Sequence, residues 1–194
     1  MNRRAVAFAA AFAVSVLSVL AQESSPHSHG EAEALGKVNF PVSCSARDLP
    51  EFTRAVALLH SFGYEEARRS FEIVAREDPG CAMAYWGIAM TYFHPIWAPP
   101  NAAELAAGHA AAQKAVELGG KTEREKAYID AIAVFYADTD TKPHGARAVA
   151  YRDAMEALSR RFPDDHEAAI FYAVAILGAA PPSDPTFASQ KKAA

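Results

Sequence analysis

Apolar positions recur in two copies of one helical pattern, 34 residues apart, which is the interval from Phe52 to Trp86. The matching positions of the two copies are Phe52, Ala55, Leu58, Leu59 and His60 in the first, and Trp86, Ala89, Tyr92, Phe93 and His94 in the second. Spacings of three and four residues are typical of one face of a helix. A repeat at this interval predicts a stacked array of helical units.

A second apolar pattern lies between the two copies. It runs from Tyr64 to Ala75 with helical spacing and stops at Asp78 and Pro79, because proline cannot continue a helix. The predicted unit is therefore a helix, a short turn, a second helix and another turn.

The pattern continues less regularly to the end of the chain. Helices are predicted over about 102–118, 122–137, 144–162 and 166–178, with one more beginning near 186. Gly119 and Gly120 end the first of these, since glycine readily adopts the backbone conformation that follows a helix. The expected repeats are about 48–81, 82–121, 122–165 and an incomplete 166–194. The predicted fold class is all-α, a right-handed superhelical array of antiparallel helix pairs.

The stretch 85–92 resembles the first-helix signature of the tetratricopeptide repeat (TPR), with Tyr85 in its tryptophan slot and Ala89 in its glycine slot. Ala67 and Phe71, spaced four apart, resemble its second half. Small residues in such slots let two helices approach closely, and large ones fill the space between them.

Longer stretches extend this resemblance. Residues 59–67 and 81–90 resemble a group of secreted bacterial TPR proteins, and the resemblance covers about residues 48–194. It implies the TPR-like α-solenoid fold and leaves the ligand open. The chain stops without the polar capping element that closes such arrays, so it resembles the N-terminal fragment of a longer protein.

The first residues have the pattern of a targeting segment. Arg3 and Arg4 precede an apolar run over 5–20, and Ala21 ends a small-residue cleavage pattern, which together predict a signal peptide over 1–21. An uncleaved anchor is the alternative. Residues 22–40 are predicted to be a flexible polar linker. The mature protein is expected in the periplasm or secreted, with no membrane association after cleavage.

The two cysteines precede the first helices of consecutive repeats. Cys44 and Cys81 would therefore lie at the same end of neighbouring helices, which predicts a disulfide in an oxidising compartment. Two free core thiols are the alternative. Neither cysteine has the neighbours of a catalytic nucleophile.

Helix geometry also predicts which residues face the inner, concave side of the array. The candidate binding residues are Phe52, His60, Trp86, Met90, Phe93, His94, Tyr128 and Tyr136. An aromatic surface of this kind is typical of a binding groove, with Trp86 as the expected anchor. The alternative is that missing downstream chain, or the turn at 93–101, covers these residues and makes them core.

The chemical content of the sequence favours a binding protein over an enzyme. A net charge of −4, without a basic stripe, argues against a nucleic-acid partner. No catalytic or cofactor-binding motif is found, so no cofactor and no catalytic residue are predicted. The expected function is a scaffold that binds a protein or peptide segment. The alternative is a metal protein or enzyme whose site combines His60 and His94 with residues of a missing C-terminal part, since a zinc site needs further ligands.

Overall fold

The computed structural model describes residues 35–181, 183 and 185–194. Within these ranges the chain forms eight helices and no strand, which confirms the all-α prediction for this part of the protein. The predicted signal peptide at 1–21 and the predicted linker up to residue 34 lie outside the described residues.

The helices follow one another as four pairs joined by short turns. Their bounds are α1 Leu49–His60, α2 Tyr64–Glu77, α3 Ala82–Phe93, α4 Ala102–Leu118, α5 Glu123–Tyr136, α6 His144–Arg161, α7 His166–Gly178 and α8 Ala188–Ala193. Each helix packs against the next one in the chain, and α3 also contacts α1 and α5. Of the odd-numbered helices, which open the four pairs, α1, α3 and α5 therefore lie side by side, and α7 meets α5 through the rings of Phe171 and Tyr128.

Small side chains allow the close approach of consecutive helices. Ala55, Ala67 and Ala89 are completely buried. A Cβ atom added to Gly87 in α3 would overlap the ring of Phe71 in α2, so any larger residue there would push the two helices apart. The small-residue positions of the repeated pattern thus lie where two helices touch.

Side-chain caps fix where several helices begin. The side chain of Asn101 accepts hydrogen bonds from the backbone of Ala103 and Glu104, and Thr122 with Glu125 forms an equivalent capping box at α5. Asp165 accepts a hydrogen bond from the backbone N–H of Ala168 at the start of α7. These acceptors satisfy N–H groups that have no partner inside the helix.

The predicted disulfide is confirmed. Cys44 and Cys81 are bonded, and their Cα atoms lie 4.9 Å apart. A buried disulfide indicates a non-reducing, extracytoplasmic compartment. Among the described residues, no helix combines the length and apolar character needed to cross a membrane.

Ahead of Cys44, the chain runs across the odd-numbered helices as a non-helical segment, residues 35–44, which we call the strap. Phe40 in the strap is buried, with 5% of its surface exposed. Its ring contacts α1, α3, α5 and α7 through one aromatic residue of each. Residues 35–40, expected to belong to a flexible linker, are therefore part of the folded array.

Candidate binding site

The predicted binding residues Phe52, Trp86 and Tyr128 surround Phe40. Their ring centroids lie 5.9, 5.2 and 4.9 Å from that of Phe40, and the ring of Phe171 lies at 6.2 Å. The three predicted residues are each at most 1% exposed. We call these five rings the Phe40 cluster. It corrects the expectation that they line an open groove, because the strap covers them.

The covering segment is neither of the two that the sequence suggested. Downstream chain and the 93–101 turn were the expected candidates, whereas Phe40 lies upstream of the first helix. The disulfide at Cys44, four residues after Phe40, ties the end of the strap to the start of α3. The strap thereby stays close to the aromatic face.

Side chains of the α5 region hold the strap by its main chain. Arg124 donates a hydrogen bond to the carbonyl oxygen of Pro41 at 2.9 Å, and Lys121 donates to that of Ser43 at 2.9 Å. The buried carboxylate of Glu125 accepts from the N–H of Ser43 at 2.6 Å. The strap is therefore held by hydrogen bonds as well as by the buried ring of Phe40.

Arg124 connects this segment to α7. Its guanidinium lies over the rings of Phe40 and Tyr128, at 4.4 and 4.8 Å from their centroids. It also forms a two-point ion pair with Asp165, at 2.6 and 3.1 Å. Tyr128 donates a further hydrogen bond to Asp165 at 3.0 Å, and burial raises the pKa of Tyr128 above its ordinary value. The strap, α5 and α7 thus share one polar hub beside the Phe40 cluster.

Two other predicted residues belong to a separate part of the core. Phe93 packs on Phe135, with ring centroids 3.9 Å apart, and Tyr136 donates a hydrogen bond to the carbonyl oxygen of Ala89 at 2.8 Å. Both are at most 1% exposed. Burial raises the pKa of Tyr136, so its hydroxyl stays protonated and able to donate. They hold α3, α5 and their neighbours together, and neither lines the pocket beside the strap.

An open pocket remains beside the strap, with a volume of about 330 Å³. Its apolar wall includes Leu59, Met90, Ile170, Phe171 and Val174, and its outer edge is formed by strap residues 36–38. This volume is at the lower end of the range for ligand pockets. Of the predicted binding residues, Met90 and His60 line it.

A histidine–carboxylate pair supplies the polar side of the pocket. His60 Nε2 donates a hydrogen bond to Glu167 Oε2 at 2.6 Å, and the imidazole lies against the ring of Phe171 at 4.8 Å. His60 is the last residue of α1 and Glu167 lies in the first turn of α7. An anion such as Glu167 at a helix N-terminus is favoured by the helix dipole. The pair joins the first and the last helix pair across the pocket.

Aromatic residues surround a second, shallower depression next to the pocket. Phe62 and Tyr64 line both hollows, and His94 and Trp97 complete the shallower one; we call these four residues the aromatic rim. Tyr64 lies 4.6 Å from the His94 ring, and Trp97 is 60% exposed. Burial raises the pKa of Tyr64 to about 12. The rim gives the pocket an apolar, partly exposed extension.

The two histidines of the repeat have different contacts. His60 is bonded to Glu167, whereas His94 lies in a left-handed turn with φ 49° after α3 and packs on Tyr64. In the part of the chain that the structure describes, no group of three or more His, Cys, Asp and Glu side chains is arranged to hold a metal ion.

Several residues of the site carried little signal in the sequence. Phe40 ends a polar stretch and has no counterpart in the repeat, and Glu167 has the ordinary place of an acidic residue at a helix start. Phe171 belongs to an apolar helix with no distinct polar face. Only the side-chain contacts between α7 and the last residue of α1 make Glu167 and Phe171 part of the site.

Comparison of the chain with protein-family models, with curated proteins and with solved structures finds no match.

Proposed function

We propose that this protein is an exported, TPR-like scaffold that binds a protein or peptide segment at the pocket and aromatic rim. The observation that carries the proposal is the apolar pocket of about 330 Å³, with a polar pair on its wall and exposed aromatic residues at its edge. Such a combination suits an extended chain that inserts one apolar side chain and lays others on the rim.

The strap supports this mode of binding. A non-helical segment already lies on the same face, anchored by one aromatic side chain and by hydrogen bonds to its main chain. The Phe40 cluster, which includes the predicted anchor Trp86, is therefore engaged by the chain itself. A partner would use the neighbouring part of the face, where His60 and Met90 line the pocket.

We also propose export to the periplasm or the cell exterior. The buried disulfide supports this location, and so does the leader-like composition of the first residues. The proposed partner is a protein, and the proposed activity is binding without catalysis or a cofactor.

Site-specific crosslinking tests the proposal. A photoreactive amino acid replaces Ile170, a pocket residue that is 44% exposed, and the matched control carries it at Val149 in α6, which is 36% exposed. We expect crosslinks to a discrete partner from position 170, and their loss when Val174→Trp fills the pocket. Equal crosslinking from both positions, or crosslinks that survive Val174→Trp, would contradict the proposal.

The alternative is a metal protein or enzyme that uses His60 and His94 with residues of a longer chain. It predicts a stoichiometric metal in the purified full-length protein, lost in the His60→Ala and His94→Ala variants. Elemental analysis of the three proteins decides between the two functions.

A further inference from the structure

The strap has an unpaired main chain where it borders the pocket. Among the described residues, no hydrogen bond engages the backbone N–H or C=O groups of Gly36, Lys37 and Val38. This stretch has neither helix nor turn. Nothing lies within 4 Å of the position that a Cβ atom would take on Gly36. Space is therefore open beside Gly36.

The same three residues form one edge of the apolar pocket. In an extended chain, alternate side chains point the same way. A segment paired with residues 36–38 would thus direct one side chain into the pocket, and the side chain two positions along toward Phe62 and Trp97 on the rim.

The charges around the pocket indicate which charge a partner should carry there. Lys37 lines the pocket, is exposed, and has no ion-pair partner among the described residues. Glu167, the carboxylate of the pocket, is already bonded to His60. Among the described residues that line the pocket, the charge left to be complemented is therefore positive, and an acidic group on the partner would complement it.

From these observations we propose that the partner is an extended segment that adds to residues 36–38 by main-chain hydrogen bonding. It would insert one large apolar side chain into the pocket and place an acidic residue near Lys37. The partner would lie on the same face as the strap and would be held in the same way, by one apolar side chain and by main-chain hydrogen bonds. This binding mode corresponds to the addition of a strand to an unpaired edge. The inference rests on the proposed function and specifies the chemistry of its partner.

The test uses a fluorescent peptide, selected from a phage-displayed library of linear peptides against the full chain. We expect selected sequences to share apolar residues at alternating positions and an acidic residue beside them. Lys37→Pro removes a backbone N–H, and Lys37→Ala removes only the side chain, which makes it the matched control. Lys37→Pro should weaken binding about fivefold or more beyond Lys37→Ala, the effect of one lost hydrogen bond.

Two further measurements separate the contribution of the Lys37 charge from that of the main-chain hydrogen bonds. Lys37→Glu should weaken binding more than Lys37→Ala, and the difference should shrink as salt is added, because salt screens exposed charges. Amide hydrogen exchange at residues 36–38 should slow when the peptide is bound. Since residue 37 is exposed, all three variants should keep the thermal stability of the parent chain.

The outcomes distinguish this inference from the proposed function. If Val174→Trp abolishes binding while Lys37→Pro equals Lys37→Ala and exchange at 36–38 is unchanged, the partner uses the pocket but not the strap edge. That result overturns the inference alone. If Val174→Trp leaves the affinity unchanged, or no peptide is selected, both fail.

Discussion

Through the ring of Phe40, the strap holds together the odd-numbered helices, which are the first helices of the four pairs. This ring lies within 6.2 Å of four other rings, one from each odd-numbered helix, and beneath the guanidinium of Arg124. Removing a buried phenylalanine loses both the transfer free energy of the ring and the packing around it. The stability of the array should therefore depend strongly on a residue outside the repeats.

Phe40→Ala should lower the free energy of unfolding by about 3 to 5 kcal/mol. The matched control is Phe187→Ala, because Phe187 is 61% exposed and its removal should change stability by no more than about 0.5 kcal/mol. Urea denaturation followed by circular dichroism measures both. A Phe40→Ala protein as stable as the control would show that the strap does not hold the array.

His144 gives the stability a pH dependence. Burial and the nearby Arg147 lower its pKa from an ordinary value of about 6.5, and its Nδ1 atom is buried with no hydrogen-bond partner among the described residues. The folded state therefore binds this proton less readily than the unfolded state. The contribution of His144 to stability is complete above about pH 6.5 and is lost as the pH falls.

His144→Gln should flatten this part of the pH profile. We expect the parent chain to lose more stability than the variant between about pH 7.5 and 5, and the NMR titration of His144 to have its midpoint below about 6.5. Equal pH profiles for the two proteins, or a midpoint above that value, would contradict the assignment.

Among the elements, α5 and α7 are joined by a nearly buried ion pair. The side chains of Arg124 and Asp165 are 16% and 8% exposed, and they share two hydrogen bonds. Removing one member of such a pair leaves the other charge buried without its partner. This cost does not arise for an exposed pair.

Arg124→Ala should therefore destabilise the protein by about 3 kcal/mol or more. Arg161→Ala is the control, because Arg161 pairs with Glu123 at 2.9 Å and both side chains are more than half exposed; its cost should stay below about 1 kcal/mol. Thermal and urea denaturation compare the two. Similar losses of stability for both variants would show that the ion pair between α5 and α7 stabilises the fold no more than an exposed pair does.

The disulfide joins the strap to α3 and closes a segment with a sequence separation of 37 residues. In the chain-entropy model, closing a loop of that length stabilises the fold by about 3 to 4 kcal/mol. The exported protein should contain no free thiol under denaturing conditions. Reduction, or the double change Cys44→Ser and Cys81→Ser, should remove this stabilisation. Two titratable thiols in the untreated, denatured protein would rule out the pairing.

For the molecule as a whole, contacts connect helix pairs that are distant in sequence. His60 of α1 reaches both Glu167 and Phe171 of α7, and Phe40 reaches all four odd-numbered helices. In a repeat array, each unit ordinarily contacts only its neighbours. These additional contacts should couple the unfolding of the first and last pairs.

Phe171→Ala tests this coupling. Amide hydrogen exchange in α1 should become faster in the variant, because the lost ring contacts His60 and Phe40 directly, and the increase should exceed that in α4. Mass spectrometry of proteolytic fragments measures both segments. Faster exchange confined to α6, α7 and α8 would show that the unfolding of the first and last pairs is not coupled.

The helices could be recognised from the sequence because their signals are local. The recurrence of Phe52 and Ala55 at Trp86 and Ala89 reports a helical face that must be buried, and Asp78 with Pro79 marks where a helix stops. The open groove, by contrast, could not be predicted correctly. The sequence shows that Phe52, Trp86 and Tyr128 share a face, but periodicity does not say whether water, a partner or the chain itself covers that face.

For the described residues, the sequence by itself predicted the all-α fold and the turns between its helices, and it favoured the pairing of Cys44 with Cys81 over two free thiols. It could do so because helical periodicity, helix-stopping residues and cysteine placement act over short or repeated intervals. The tertiary structure alone decided that Phe40 fills the aromatic cluster and that His60 meets Glu167, 107 residues away. Those contacts depend on how four helix pairs and the strap are arranged in space. The open pocket exists for the same reason, since its walls come from the strap, α1, α3 and α7 together.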